Sequence, residues 1–257
     1  MIPRRIAQHL RAHDWFATGL DFLIVVGGVF IGLQVNNWNQ ARTERQAARA
    51  YIGRIQEDLR QGEASLLGRI SYYRQVKVHA LAALAAFDKP KDALGEAFVI
   101  DAYQSTQILG RSIDRSTYDE ILSVGAMNWI PDVAIRKRLA TFYQNAAAID
   151  EILQYVPPFR ENLRRVLPYS AQAAITAACD DITAIDAQGV ATPALPERCE
   201  PKLAPDAVKA SVAAIFNPDI KRDLVRRIVD LDTKMKNDQR LIDRGRELGQ
   251  FLAGAKF

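Results

Sequence analysis

The apolar positions of this chain fall into three stretches with helical periods and one without any period. From Phe22 to Leu33 the apolar run is unbroken, with no polar face at all. From about residue 40 to 87, Ile52, Ile55, Leu59, Leu66, Ile70, Tyr73, Ala80, Leu84 and Phe87 recur at threes, fours and sevens. That spacing puts them on one face of a long helix. Ile135, Leu139, Phe142, Ala146, Ile149, Leu153 and Val156 alternate +4 and +3. Ile220, Leu224, Ile228, Leu231, Met235, Ile242, Gly249 and Leu252 make a third stripe, running to the C-terminus.

Punctuation divides the rest. Lys89-Pro90-Lys91 stops the first long helix. A shorter helix is predicted over Glu96–Leu109. Thr117 and Glu120 read as a capping box, Gly125 as a C-terminal cap and Asp132 as an N-cap. Pro157-Pro158 breaks the next helix, a piece continues to about Leu167, and Pro168 opens Ala171–Ala178. Asp206–Phe216 is a short helix, and Asn217-Pro218 starts the last one. No alternating run predicts a sheet. The expected fold is all-α: an N-terminal transmembrane helix leading into an elongated antiparallel bundle of about four main helices. The two long helices would pack against each other and return the C-terminus towards the membrane.

The unbroken run decides the class of protein. Trp15 and Trp38 bracket it, 23 positions apart, or about 34 Å of helix, close to the thickness of a bilayer core with some interface. Tryptophan suits that boundary, with an apolar ring and an N–H that seeks water or headgroups. A secretory signal would share the basic start (Arg4, Arg5, Arg11), but the residues after Leu33, QVNNWNQ, offer no small-residue cleavage site. A buried core helix would need the run covered. An uncleaved anchor is the reading adopted, with residues 1–14 a basic amphipathic arm on the membrane, 15–38 the span, and 39–257 the extramembrane bundle, including a loop at 179–205. Gly28 and Gly32 share one helix face and allow close approach of a second helix, from another copy or from a partner subunit. Asp21 is an intramembrane acid near the boundary, within reach of headgroup water.

The order Asp21, Phe22–Leu33, then Gln34-Val35-Asn36-Asn37-Trp38-Asn39 resembles the N-terminal anchor of an uncharacterised family of bacterial single-pass membrane proteins. The stretch STYDEILSVGAMNWIPDVAIRKRLATFYQ is similar to a later segment of that family. The resemblance implies a helical envelope protein. It implies no activity and transfers no catalytic residue.

Charge and cysteines place the protein further. Lys and Arg exceed Asp and Glu by only four in 257 residues, and the signs are interleaved (KRDLVRRIVDLDTKMK). That is a solvated helix surface, not a nucleic-acid footprint. Arginines balance on the two sides of the span, so the positive-inside rule is a draw. Cys179 and Cys199 bound the most loop-like segment. A disulfide there would stabilise by about 3 kcal/mol and belongs to an oxidising compartment such as the periplasm. The expected placement is the bacterial inner membrane, with the N-terminus cytoplasmic and the C-terminal domain periplasmic.

No hydrolase, zinc, phosphate-loop or dinucleotide motif is present. His9 and His13 lack further metal ligands, His79 sits at the bundle edge, and Asp180, Asp181 and Asp186 lack calcium-loop spacing and read as solvated. No catalytic residue, cofactor or metal is expected. The best polar–aromatic grouping is a helix–loop–helix corner of Tyr118, Asp119, Glu120, Asn128 and Trp129, which could bind a partner or ligand or simply fill the core. Gly245 and Gly249 read as a close-packing face. The expected function is a non-enzymatic, membrane-anchored protein acting through assembly, in contact with lipid and as a homo-oligomer or complex subunit. The alternative is a sensory or ligand-binding bundle that signals through a partner.

Overall fold

The computed structural model describes residues 14–110, 113–185 and 191–255, apart from the side chains of 14–18, 150, 152–154, 184 and 191. The basic arm, with His9 and His13, lies outside the described residues, as does Asp186. The first element, α1, is one unbroken helix over Asp14–Ala86, 73 residues long, hence about 110 Å. The span and the first long helix of the bundle are therefore a single rod. Gly53 and Gly62 do not interrupt it, because its inward stripe is held by packing over many turns.

Shorter helices follow: α2 (Glu96–Gln104), α3 (Ser116–Ser123), α4 (Val133–Gln154), α5 (Pro158–Val166), α6 (Tyr169–Cys179) and α7 (Pro205–Ile215). The last, α8 (Pro218–Gly254), has 37 residues. It lies antiparallel to α1, and four ion pairs mark the register: Asp88–Lys221, Lys77–Asp232, Arg69–Asp238 and Glu63–Arg246. As positions rise along α1 they fall along α8, so the C-terminal end of α8 turns back only to the level of about residue 54. The two helices form a spine, and α4 and the shorter helices pack against it to complete the bundle.

Two apolar clusters form the core. The membrane-distal one joins Tyr72, Tyr73, Val76 and Ala80 of α1 to Phe98 and Val99, Phe159, Ile175, Ile215 and Leu224. The proximal one joins Ala48, Ile52 and Ile55 of α1 to Ile121, Ile135, Leu139, Leu241 and Leu248. Ile52, Ile55, Tyr73, Ala80, Ile135, Leu139, Leu224, Leu231 and Ile242 come from the predicted stripes, whereas Phe98, Val99, Ile121, Phe159, Ile175 and Ile215 come from short helices with no predicted stripe.

The local signals held in part. Asn217 caps α8 by accepting from the Asp219 N–H at 2.8 Å, and Asp132 caps α4 by accepting from the Ala134 N–H at 2.7 Å. Gly125 has φ +71°, the left-handed turn that a side chain resists. The Thr117–Glu120 capping box does not form. Asp114 serves the first turn of α3 instead, accepting from the Ser116 N–H at 2.8 Å, and Glu120 is drawn away to α1. The helix predicted to Leu109 stops at Gln104, where the Ser105 and Thr106 hydroxyls bond back to Ala102 O and Tyr103 O at 2.7 Å each. Such side-chain bonds compete with helical ones.

A sheet was not expected, yet β1 (Ile182–Ile185) and β2 (Ala191–Ala194) pair antiparallel, Ile182 opposite Ala194. Strands of four residues are too short for alternation to register. The hairpin is framed by a Cys179–Cys199 disulfide, 20 positions apart, as the sequence suggested. It is stapled to α1 at three levels. The Tyr72 hydroxyl donates to both oxygens of Asp181 at 2.9 and 3.0 Å, so Asp181 is not simply solvated. Gln75 Oε1 accepts from the Leu195 N–H at 2.7 Å. Thr192 rests on Gly68, where an added Cβ would fall 2.6 Å from its methyl group.

Candidate functional site

One helix among the described residues is long and apolar enough to cross a membrane, and none of its apolar window is buried in the fold. Phe22, Leu23, Ile24, Val25, Phe30 and Ile31 all stand exposed. Gly28 and Gly32 have open space where a Cβ would project. Asp21 lies on the same unpacked stretch, and Trp38 is exposed with the Arg42 guanidinium 6.0 Å from its ring. Trp15 falls within α1, near its start. Among the described residues nothing packs over the run, which favours an anchor over a core helix. Above Trp38 the rod stays mostly uncovered until Ala48, the first residue of the core. Further exposed apolar side chains lie on the spine. Val78 and Leu81 of α1 and Val225 and Val229 of α8 are all at least 47% exposed, at matching levels of the antiparallel register.

The corner of α3 and α4 is closed on itself. Tyr118 is buried and stacks on Tyr143 with centroids 4.2 Å apart. Trp129 packs on Tyr51 at 6.4 Å. Glu120 accepts from the Tyr51 hydroxyl at 3.0 Å and from Arg54 at 3.1 and 2.6 Å. The Arg54 guanidinium, then the Tyr51 hydroxyl, hold the Glu120 carboxyl below its ordinary value. Asp119 pairs with Arg115 at 2.8 Å, and Asn128 is exposed in the turn after Gly125. The corner thus clasps the domain to the rod just above the uncovered segment.

A set of buried polar groups that the sequence did not reveal runs from within the distal cluster, at Arg227, to its boundary with the proximal one, at Asp238. Arg227 is wholly enclosed and donates to Ser105 O at 3.1 Å and Gln107 O at 2.6 Å. Arg160 donates to Thr106 O at 2.9 Å, and Arg164 to the Thr106 hydroxyl at 2.9 Å and to Gln107 Oε1 at 3.1 Å. Three cations thus meet the carbonyl end of α2, where the helix dipole is negative. Burial pulls Arg227 down to about 10. One turn and more along α8, Lys234 lies 5.7 Å from the Tyr73 ring, and burial pulls its ammonium down to about 8. Arg69 and Asp238 pair at 3.6 Å beside it. These groups look polar-outward in the sequence. Their signal was their place on the buried stripe, one step from Leu224, Leu231 and Leu241.

On the membrane-proximal half, α1, α4 and α8 leave a groove of about 230 Å³. Leu59 and Leu66 of α1, Phe142 of α4 and Ile242 of α8 make its apolar walls. Gly245 touches the Phe142 ring, where a Cβ would come to 3.5 Å, while Gly62 and Gly249 face open space. The predicted close packing is met at Gly245, against Phe142 and Leu59, and opens into a gap at Gly249. Asp58 and Asp114 supply acid and Tyr143 a phenol. Burial, then the charges of Asp58 and Asp114, push the Tyr143 hydroxyl above its ordinary value. Glu63 closes one end through its pair with Arg246 at 2.6 Å.

Among the described residues no group of three or more His, Cys, Asp or Glu side chains is placed to hold a metal ion. Compared with protein-family models, curated proteins and solved structures, the chain shows no match.

Proposed function

We propose that this protein is a non-enzymatic, membrane-anchored helical envelope protein that acts through assembly, as an oligomer or as an accessory subunit of a larger membrane complex. The observation that carries the reading is the rod itself. One continuous helix is apolar and uncovered over its first part and core-forming from Ala48 onward. Any force or contact at the span is thereby coupled to the bundle without a flexible joint. Gly28 and Gly32 give the span a face for a second helix. Val78 and Leu81 of α1 and Val225 and Val229 of α8 give the bundle further exposed apolar side chains.

The placement we propose is the bacterial inner membrane, with the domain in the periplasm. Two things support it: the resemblance of the anchor to that of the bacterial family, and the disulfide, which persists in oxidising compartments. The test is purification from native membranes in mild detergent, followed by measurement of particle mass and of co-purifying chains. A particle of two or more copies, or a stoichiometric partner, is expected, and Gly28→Leu with Gly32→Leu would weaken it. A bare monomer with no co-purifying chain refutes the reading.

A further inference from the structure

The groove between α1, α4 and α8 has a chemistry of its own. We infer that it is a binding site for a compact organic cation, an ammonium group carried on a small apolar body, with Asp58 as the anionic anchor. Oδ2 of Asp58 is enclosed and accepts no hydrogen bond. A buried carboxylate oxygen without a donor is costly, and native folds rarely leave one so unless something else supplies the donor. Arg60 and Arg246, the basic residues at the groove, are engaged elsewhere, with Glu57 at 2.5 Å and with Glu63 at 2.6 Å. Asp114 stands at the rim and spends one oxygen, Oδ1, on the Ser116 N–H. Among the described residues that line the groove, the acids Asp58, Glu63 and Asp114 outnumber the bases Arg60 and Arg246, and the Tyr143 phenol lies beside them.

The rest of the wall selects the kind of cation. Leu59, Leu66, Phe142 and Ile242 offer hydrocarbon and an aromatic ring, the surface an apolar body and an ammonium both favour. A hard divalent ion takes six or more oxygen ligands and a protein zinc site at least three His, Cys or carboxylate ligands, and among the described residues the groove supplies neither set. The volume, about 230 Å³, is below that of a drug-sized pocket and suits a ligand of few atoms. Gly62 and Gly249 line the space and keep it open: a Cβ at either would meet no atom within 4 Å. In the interior of long helices both glycines cost stability relative to alanine.

The experiment uses the full chain in detergent, with calorimetric titration and thermal shift. Benzylamine and propylamine are the probes, and benzyl alcohol and benzoate are the uncharged and anionic controls. The amines are expected to bind and raise Tm, and the controls not to. Gly249→Leu should abolish amine binding while leaving the amine-free Tm unchanged or higher, since no atom lies within 4 Å of the new Cβ. Asp58→Asn should weaken amine binding at least tenfold, again without lowering Tm, because the Oδ2 it alters is enclosed and accepts no hydrogen bond. The inference fails if no amine binds up to about 10 mM, where a ligand of this size has no specific affinity left. It fails also if amines bind equally to both variants, or if benzyl alcohol binds as well as benzylamine. These outcomes concern the groove alone and leave the assembly test untouched.

Discussion

Arg227 shows what a single residue contributes to this fold. Its guanidinium satisfies two carbonyls beyond the end of α2, Ser105 and Gln107, in a place water does not reach. Arg227→Met keeps the stem and removes both donors. Each bond to a charged group contributes about 1.5–3 kcal/mol, and the carbonyls would be left buried without partners. We expect a loss of about 3 kcal/mol in denaturant unfolding, and a loss below 1 kcal/mol would mean that the carbonyls find other donors. Lys234 makes a different prediction, in pH. Burial lowers its ammonium from 10.5 to about 8. Between those values the unfolded chain still holds a proton that the folded chain has released. Stability therefore rises with pH from about 8. Near 10 the sign reverses, because burial pushes Tyr72, Tyr73 and Tyr143 up and only the unfolded tyrosines ionise there. The charged groups around Lys234 are Arg227, Asp230, Arg69 and Asp238, and Arg227, itself pulled down to about 10, adds to the rise at the top of this window in the same direction. A rise of about 2 kcal/mol between pH 8 and 10 is expected, and Lys234→Met should flatten it. A rise of the same size in the variant would assign it to another group.

At the scale of elements, the hairpin is where packing overrode sequence pattern. Gly68 lets Thr192 sit directly on α1, and a Cβ there would come within 2.6 Å of the Thr192 methyl. Gly68→Val should push β2 off the rod while leaving α1 helical. Hydrogen exchange would show it as lost protection at residues 182–185 and 191–195, with the α1–α8 spine unchanged. If protection is retained, the hairpin has room to shift and the close contact is not what positions it. The same contrast explains what the sequence made legible. α1, α4 and α8 were readable because their apolar residues repeat over many turns: Ile135, Leu139 and Phe142 lie on a core face wherever the helix ends. Gly125, Asp132 and Asn217 were readable because each satisfies its own neighbours. Glu120 was misread because its partners, Tyr51 and Arg54, lie 69 and 66 positions away. The groove could not be foreseen for the same reason: Gly245 and Gly249 share a face in the sequence, but only the packing of α8 against its neighbours closes that face at Gly245 and leaves a gap at Gly249. The buried set of Arg69, Arg227, Lys234 and Asp238 depends on which carbonyls and charges lie opposite, and no periodicity encodes that.

At the scale of the whole molecule, the rod sets distances from the proposed membrane. From Trp38 to Ala48 is ten residues, about 15 Å of uncovered helix, and the bundle continues along α1 for about another 57 Å to Ala86. The Cys179–Cys199 bond belongs to the distal cluster, well away from the bilayer. Its chemistry therefore reports the bulk compartment that surrounds the domain, not the membrane surface. The loop it closes is 20 positions long, so the bond should contribute about 3 kcal/mol in the chain-entropy account. Alkylation of intact cells before and after reduction reads its state. If the domain is periplasmic, both cysteines are protected until a reductant is added, and both react together afterwards. Cys179→Ser with Cys199→Ser should then lower the unfolding free energy by about the same 3 kcal/mol. Thiols that react without reductant, but only after lysis with an impermeant reagent, would put the bundle in the cytoplasm. The balance of arginines at the two ends of the span permits either orientation, so this outcome would invert the topology without disturbing the fold. It would move the search for assembly partners to the other face of the membrane, because the rod would then present Val78, Leu81, Val225 and Val229 to cytoplasmic proteins.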